Sequence, residues 1–208
     1  FLLGNLLGVA LGLASAQRRG QWRDRLISGL SVVGMSISFL VIIIALQVLL
    51  STPYGLDLFP VRGWQVSDLP SYLRYVTVPT IALVLVTLGY NTRFYRAVFV
   101  EEIGRDHVRT ARAFGTAPAV ILGKHVLKNG LVPIITRVLF SIPLVVISGS
   151  LLIETYFGIP GIGKATFEAI TNGDQPVLTA VVALTALAFV LIQVAADMLY
   201  RLVDPRVA

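Results

Sequence analysis

The chain contains no cysteine, which excludes a disulfide framework and a thiolate metal centre. It has only two histidines, His107 and His125, 18 residues apart in a polar stretch. A metal site needs more ligands than this pair supplies, so they read as surface histidines and no metal is expected. Charge is scarce as well. Asp, Glu, Lys and Arg make up 13% of the 208 residues, whereas soluble domains carry roughly 25%. In their place 56% of the residues are hydrophobic, and the mean hydropathy is +0.82. A chain of this length can bury one ordinary core, but not this much apolar side chain in unbroken runs. The solvent for those runs is lipid.

A helix that spans a bilayer needs about 20 mostly apolar residues. Four runs fit: Leu26 to Leu50, Tyr75 to Asn91, Leu131 to Ile153 and Val177 to Tyr200. Phe1 to Ala16 is a fifth, shorter run. Lipid offers no partner for backbone N–H and C=O groups, so each run is expected to be helical. Pro79 near the start of the second run makes that boundary the least defined. The sequence opens on Phe1 inside an apolar run with no basic segment before it, unlike a signal peptide. The expectation is a fragment that lacks its N-terminal part.

The net charge is +6, and its placement is informative. Arg18, Arg19, Arg23 and Arg25 follow the first run. Arg93, Arg96, Arg105, Arg109, Arg112, Lys124 and Lys128 precede Leu131, and Arg201 and Arg206 lie in the tail. These three segments alternate onto one face and hold 13 basic residues, against Arg62, Arg74 and Lys164 on the other. The basic face is expected to be cytoplasmic. No basic patch is interleaved with aromatics, so nucleic-acid binding is not the reading.

Gly4, Gly8 and Gly12 recur every fourth residue and make a flat stripe suited to close helix packing. Gly158-Ile-Pro-Gly-Ile-Gly163-Lys164-Ala165 nearly spells a phosphate-cradling loop. It ends in Ala165, which has no hydroxyl for Mg²⁺, and a membrane span rather than a strand precedes it. The run reads as a helix break, with Pro160 and Gly161 ending one segment and a short helix starting near Ile162.

The segment from Arg93 to Gly130 is too polar to insert and too patterned for a linker. Val108 to Phe114 reads as a short helix stopped by Gly115. Thr116 is the expected N-cap of a second helix, with Pro118 in its first turn. Such a helix–Gly–helix element suits either an amphipathic connector at the membrane surface or a knob that docks into a partner.

Four segments then resemble one family. Arg105 to Gly115 reads RDHVRTARAFG, and Lys124 to Pro133 reads KHVLKNGLVP. Together they resemble the cytoplasmic EAA loop of ABC importer permeases, in the form of the dipeptide, oligopeptide and nickel branch. Glu154-Thr-Tyr-Phe157-Gly-Ile-Pro160-Gly161-Ile-Gly163 resembles that branch's Glu-Thr-x-Phe-x-x-Pro-Gly-x-Gly. Asp197-Met-Leu-Tyr200-Arg-Leu-Val-Asp204-Pro205-Arg206 resembles its C-terminal pattern, and Phe59 to Trp64 an external stretch. His107 stands where the branch usually has Tyr, and Phe114 where it has Lys. Arg109 and Thr110 replace the Glu and Ala of the general motif.

The resemblance implies an all-α integral membrane bundle, with five of six transmembrane helices present and a cytoplasmic helix–Gly–helix coupling loop. Residues 1–208 would form one permease domain, with the loop at 93–130 inside it. It implies a bacterial or archaeal inner-membrane protein with a cytoplasmic C-terminus. The implied partners are a second permease subunit, two cytoplasmic ATPases and an external substrate-binding protein. ATP and Mg would sit on the ATPases, leaving this chain without a cofactor or a catalytic residue. Arg109, Thr110, Ala111, Arg112, Ala113 and Gly115 would couple to the ATPase. Glu154, Phe157, Pro160 and Gly161 would belong to the external gate and pathway, although Glu154 also reads as a carboxylate reaching water. Arg137 lies inside a run, where it either snorkels towards the cytoplasm or pairs with a carboxylate such as Asp197. A secondary transporter and a structural membrane protein are the alternative classes. The first would place more ionisable groups mid-membrane, and the second has no use for the patterned loop.

Overall fold

The computed structural model describes residues 1–145 and 150–203, and every regular element among them is helical. In chain order these are α1 (Leu2–Gln17), α2 (Trp22–Ser36), α3 (Phe39–Ser51), α4 (Leu69–Ile103) and α5 (Asp106–Ala113). They are followed by α6 (Pro118–Val120), a π-helical stretch (Ile121–Leu127), α7 (Lys128–Leu144), α8 (Ser150–Phe157), α9 (Ile162–Asn172) and α10 (Gln175–Val203). Among the described residues three helices are long and apolar enough to cross a bilayer: α4, the rod Pro118–Pro143, and Gln175–Tyr200 of α10. The broken pair α2 and α3 makes a fourth if it counts as one span, and α1 is a shorter apolar helix.

Three expected boundaries move. The run Leu26 to Leu50 breaks where Ile37 and Ser38 are both extended, with ψ of 131° and 139°. No proline or glycine occupies the break. Ser38 restarts the ladder as N-cap, its carbonyl accepting from Ile42 N–H at 3.1 Å. The second run is longer than expected. Helix α4 passes through Pro79 and continues twelve residues beyond Asn91, which at 1.5 Å per residue adds about 18 Å. Arg93 and Arg96 therefore lie on this helix and not in a loop. Charge does not end a helix; a capping signal does, and the first one here is Gly104. The third run begins at Pro118, because α6, the π-helical stretch and α7 form one rod.

The chain divides into two compact units. One comprises Phe1–Ile37, Val84–Val138 and the chain from Ala196. Tyr95, Phe99, Val108 and Val126 are its fully buried centre, with Ala16, Ala111, Ile121 and Ile134 around them. Here α1 lies along α4 in the same direction. A Cβ on Gly4 would sit 2.6 Å from Thr87 Oγ1, one on Gly8 2.6 Å from Asn91 Cβ, and one on Gly12 2.9 Å from Arg96 N. The two backbones approach closely because these three positions carry no side chain.

The other unit comprises Ser38–Leu83 and Leu139–Ala195. Ile43, Val78, Ala82, Ile153 and Phe157 form its core. Gln47 is buried in α3, where its Nε2 donates to Val61 O at 2.5 Å and its Oε1 accepts from Tyr156 Oη at 2.6 Å. That amide ties the irregular segment before α4 to α8. Trp64 lies 5.7 Å from Tyr72 and 5.9 Å from Tyr75 between ring centroids, the kind of aromatic group favoured where a helix enters a membrane interface.

Candidate functional site

Helix α5 is built to end at a fixed place. Asp106 sits in its first turn and Arg112 in its last, each opposite in sign to the helix end it faces. Gly115 has φ of +73°, which a Cβ would strain. Gly115 N–H bonds Arg112 O at 2.9 Å, and Thr116 N–H bonds Ala111 O at 3.1 Å. These two bonds are a Schellman closure, and they satisfy carbonyls that the helix end would leave bare. Thr116 is not the next N-cap. Ala117 is, with Pro118 at the first helical position, so the cap carries no side-chain hydrogen bond.

The closure fixes which side of α5 faces inward. Val108 and Ala111 are buried in the core, whereas Arg109, Thr110, Arg112 and Ala113 face outward. Phe114, a large apolar ring at the tip, is 84% exposed. Among the described residues Arg109 pairs only with Asp106, at 3.7 Å and exposed. Behind α5 a cavity of about 390 Å³ is lined by Arg18, Ile103, Arg112, Ile121 and Leu122, among others.

The second constellation is the α8–α9 hairpin. Lys164 N–H at the start of α9 donates to Glu154 Oε2 at 3.0 Å. The carboxylate of α8 therefore caps α9 across the turn and neutralises its positive end. Gly161, the N-cap residue, has φ of −173°, an ordinary extended backbone. A Cβ there would fall on the Glu154 carboxylate and push it from its place at the start of α9. A Cβ on Gly163 would lie 2.6 Å from Leu151 Cα, so the hairpin closes backbone to backbone. Phe157 is buried, its carbonyl accepts from Gly63 N–H at 2.9 Å, and Pro160 is exposed in the turn. A helix, not a strand, precedes the phosphate-loop-like run, and an intrachain carboxylate already occupies the anion position at α9.

The family of binding-protein-dependent transport system inner membrane components matches this chain over residues 8–208. The chain belongs to that family. Among its relatives, the dipeptide transport permease DppB of Lactococcus lactis is 34% identical over 99% of this chain and 65% of its own length. The glutathione transport permease GsiC of Salmonella typhimurium is 32% identical over 97% and 63%. A probable peptide transporter permease of Sinorhizobium fredii is 32% identical over 99% and 66%. The chain thus spans just under two thirds of the length of these curated relatives. A chain of the MetNI methionine ABC transporter, solved in inward-facing conformations, has the same fold. The match has a TM-score of 0.70 at 19% identity and covers 98% of this chain and 90% of that one.

This inner membrane component also carries a cluster that the sequence reading missed. Asp24, 4% exposed, receives Arg96 Nε at 2.7 Å and a second Arg96 nitrogen at 2.8 Å. Ser15 Oγ donates to it at 2.5 Å and Gly20 N–H at 2.8 Å. One carboxylate thereby joins α1, α2 and α4. The signal was present in the sequence: Asp24 is the one acid among Arg18, Arg19, Arg23 and Arg25. Among the described residues Arg137 pairs with no carboxylate. Its guanidinium lies 4.5 Å over the Phe94 ring and donates to Asn91 Oδ1 at 3.3 Å. Asp197 is exposed.

Proposed function

We propose that this chain is the permease subunit of an ATP-driven importer, lining the path for peptides or peptide-like solutes. The names of its relatives, which transport dipeptide, glutathione and peptide, support that cargo class. The observation that carries the reading is α5. It is a short helix with a buried inner face, an exposed basic outer face, an apolar ring at its tip and a fixed stop at Gly115. A connector needs only length, whereas a knob that transmits force needs this rigidity. Arg109, Thr110, Arg112, Ala113 and Gly115 form the part that meets a cytoplasmic ATPase, while the buried Val108 and Ala111 anchor it from the inner side. A second permease subunit, two ATPases binding ATP and Mg, and an external binding protein complete the assembly. The chain itself does no catalysis. Its basic segments and C-terminus face the cytoplasm of a bacterial or archaeal cell, and the α8–α9 hairpin with Glu154, Phe157, Pro160 and Gly161 works on the external side.

Two experiments test this. A Cβ at Gly115 would meet no neighbour within 4 Å, so Gly115→Val acts through the strain it puts on the positive-φ stop of α5. The subunit should still insert and pair, while uptake and substrate-stimulated ATP hydrolysis fall. Arg109→Glu should weaken co-purification of the ATPase. Normal uptake by both variants would reduce α5 to a connector. For orientation, Thr52→Cys and Asn172→Cys should react with an impermeant thiol reagent in intact cells and Ala117→Cys should not; the reverse pattern overturns the assignment.

A further inference from the structure

The cavity of about 390 Å³ behind α5 lies wholly within the basic unit. Part of its lining is apolar: Ile103 is the last residue of α4, and Ile121, Leu122 and Val126 come from the π-helical stretch. The rest includes two cations, Arg18 just past the end of α1 and Arg112 in the last turn of α5. Among the described residues neither guanidinium pairs with a carboxylate, and no Asp or Glu lines the cavity. The cavity also sits where membrane elements turn polar. The apolar helix α1 ends beside it at Gln17, and Arg18 and Arg19 follow. The rod Pro118–Pro143 has 26 residues, about 39 Å, and so outreaches a hydrocarbon core of about 30 Å. Its first turns line the cavity.

We propose that this cavity binds the headgroup of one anionic phospholipid, with Arg18 and Arg112 holding its phosphate. Basic pockets between membrane helices at headgroup depth suit such a ligand, and the planar fork of N–H donors on arginine matches phosphate oxygens. A free anion, or an acidic side chain from a partner, would use the two cations and leave the apolar lining bare. A phospholipid uses both, with the first methylenes of its chains against Ile103, Ile121 and Leu122. A zwitterionic lipid would bring an ammonium group that meets no carboxylate in the lining. A phosphate shared by the two arginines ties the last turn of α5 to the end of α1. The inference needs only the membrane placement of the chain and not the importer reading. Arg112 also belongs to the coupling face, so the test leaves it unchanged.

The test offers the assembled transporter in detergent equal amounts of phosphatidylglycerol and phosphatidylcholine, washes it, and measures the retained lipid by mass spectrometry. The parent should retain phosphatidylglycerol in preference. Arg18→Gln should lower that retention about fivefold, the factor for one basic residue at an anionic surface, and Arg18→Lys should restore part of it. Arg19→Gln removes the same charge from a residue that does not line the cavity, and should leave retention unchanged. Leu122→Trp keeps both arginines, fills the apolar side and should lower retention. An equal loss in Arg19→Gln would reduce the site to diffuse surface charge and overturn the inference. Displacement of the lipid by millimolar inorganic phosphate would make it a free-anion site and overturn it too. So would a parent with no preference, the result if a carboxylate of the ATPase occupies the arginines.

Discussion

In residues 1–37 and 84–138 helix ends meet through charge pairs and a glycine stop, whereas in residues 38–83 and 139–195 they meet through one carboxylate and close backbone contact. The first set holds twelve of the chain's Lys and Arg residues and the second only three. The basic unit joins elements far apart in sequence, by side chains that reach at Asp24 and Arg96 and by close backbone approach along the Gly4, Gly8 and Gly12 stripe. The other joins neighbours in sequence, α8 with α9, by removing side chains at Gly161 and Gly163. Long polar side chains can adjust to a change, but two touching backbones cannot. Tolerance to substitution should differ accordingly.

The largest effect is therefore expected at Gly163. In Gly163→Val a branched side chain would enter the backbone of Ser150 and Leu151. Overpacking a core costs about 1–3 kcal/mol where side chains can yield, and backbone yields less. The variant should lose protease resistance in the α8–α9 region together with uptake. Normal thermal stability in detergent would show that the hairpin opens easily, and the contrast between the units would fail.

Asp24→Asn comes next. It leaves Arg96 facing a neutral amide where a bidentate carboxylate stood. Breaking a fully buried pair costs about 3–5 kcal/mol. Arg96 keeps 29% of its side chain exposed, so the loss should lie at or below the lower end, read as a reduced melting temperature. Asp24→Asn with Arg96→Met should recover part of it, because the unpaired charge is then gone. A double variant less stable than the single one would mean that Arg96 stabilises by its stem and not by its charge.

Part of this contrast was legible in the sequence. The apolar runs, the bias of basic residues and the stop at Gly115 follow from period, composition and one residue's backbone freedom. The break at Ile37 and Ser38 was not legible, because no proline or glycine marks it. The continuation of α4 through Arg93 and Arg96 was hidden for the opposite reason: charge was read as the end of a span, although the helix outlasts the apolar run. Glu154 stood out as a motif position, but its partner Lys164 N–H is a backbone group, which no side-chain pattern reports. Asp24 was visible as a lone acid, yet its partner lies 72 residues away.

Glu154→Ala should be milder than either change above. It removes the cap on α9 but leaves the α8–α9 backbone contact intact. Loss of a helix cap costs about 0.5–2 kcal/mol. Glu154→Gln keeps an acceptor and should fall between the parent and Glu154→Ala, with hydrogen exchange at the Lys164 amide as the readout. Equal exchange in all three proteins would remove the cap from the account.

The smallest effect belongs to Lys164→Ala. A phosphate-loop reading would make this lysine the most sensitive residue in the chain, since it would carry the nucleotide's charge. Here its side chain has a loose contact with Glu168 at 3.8 Å, one helical turn on, while the α9 N-terminus is already filled by Glu154. An i,i+4 pair of this kind is worth about 0.3–0.5 kcal/mol. The backbone N–H that matters survives substitution by alanine. ATP hydrolysis by the assembled transporter should stay within about twofold of the parent, a change of roughly 0.4 kcal/mol. If Lys164→Ala abolished nucleotide binding while the complex still assembled, the hairpin would have to be a nucleotide site.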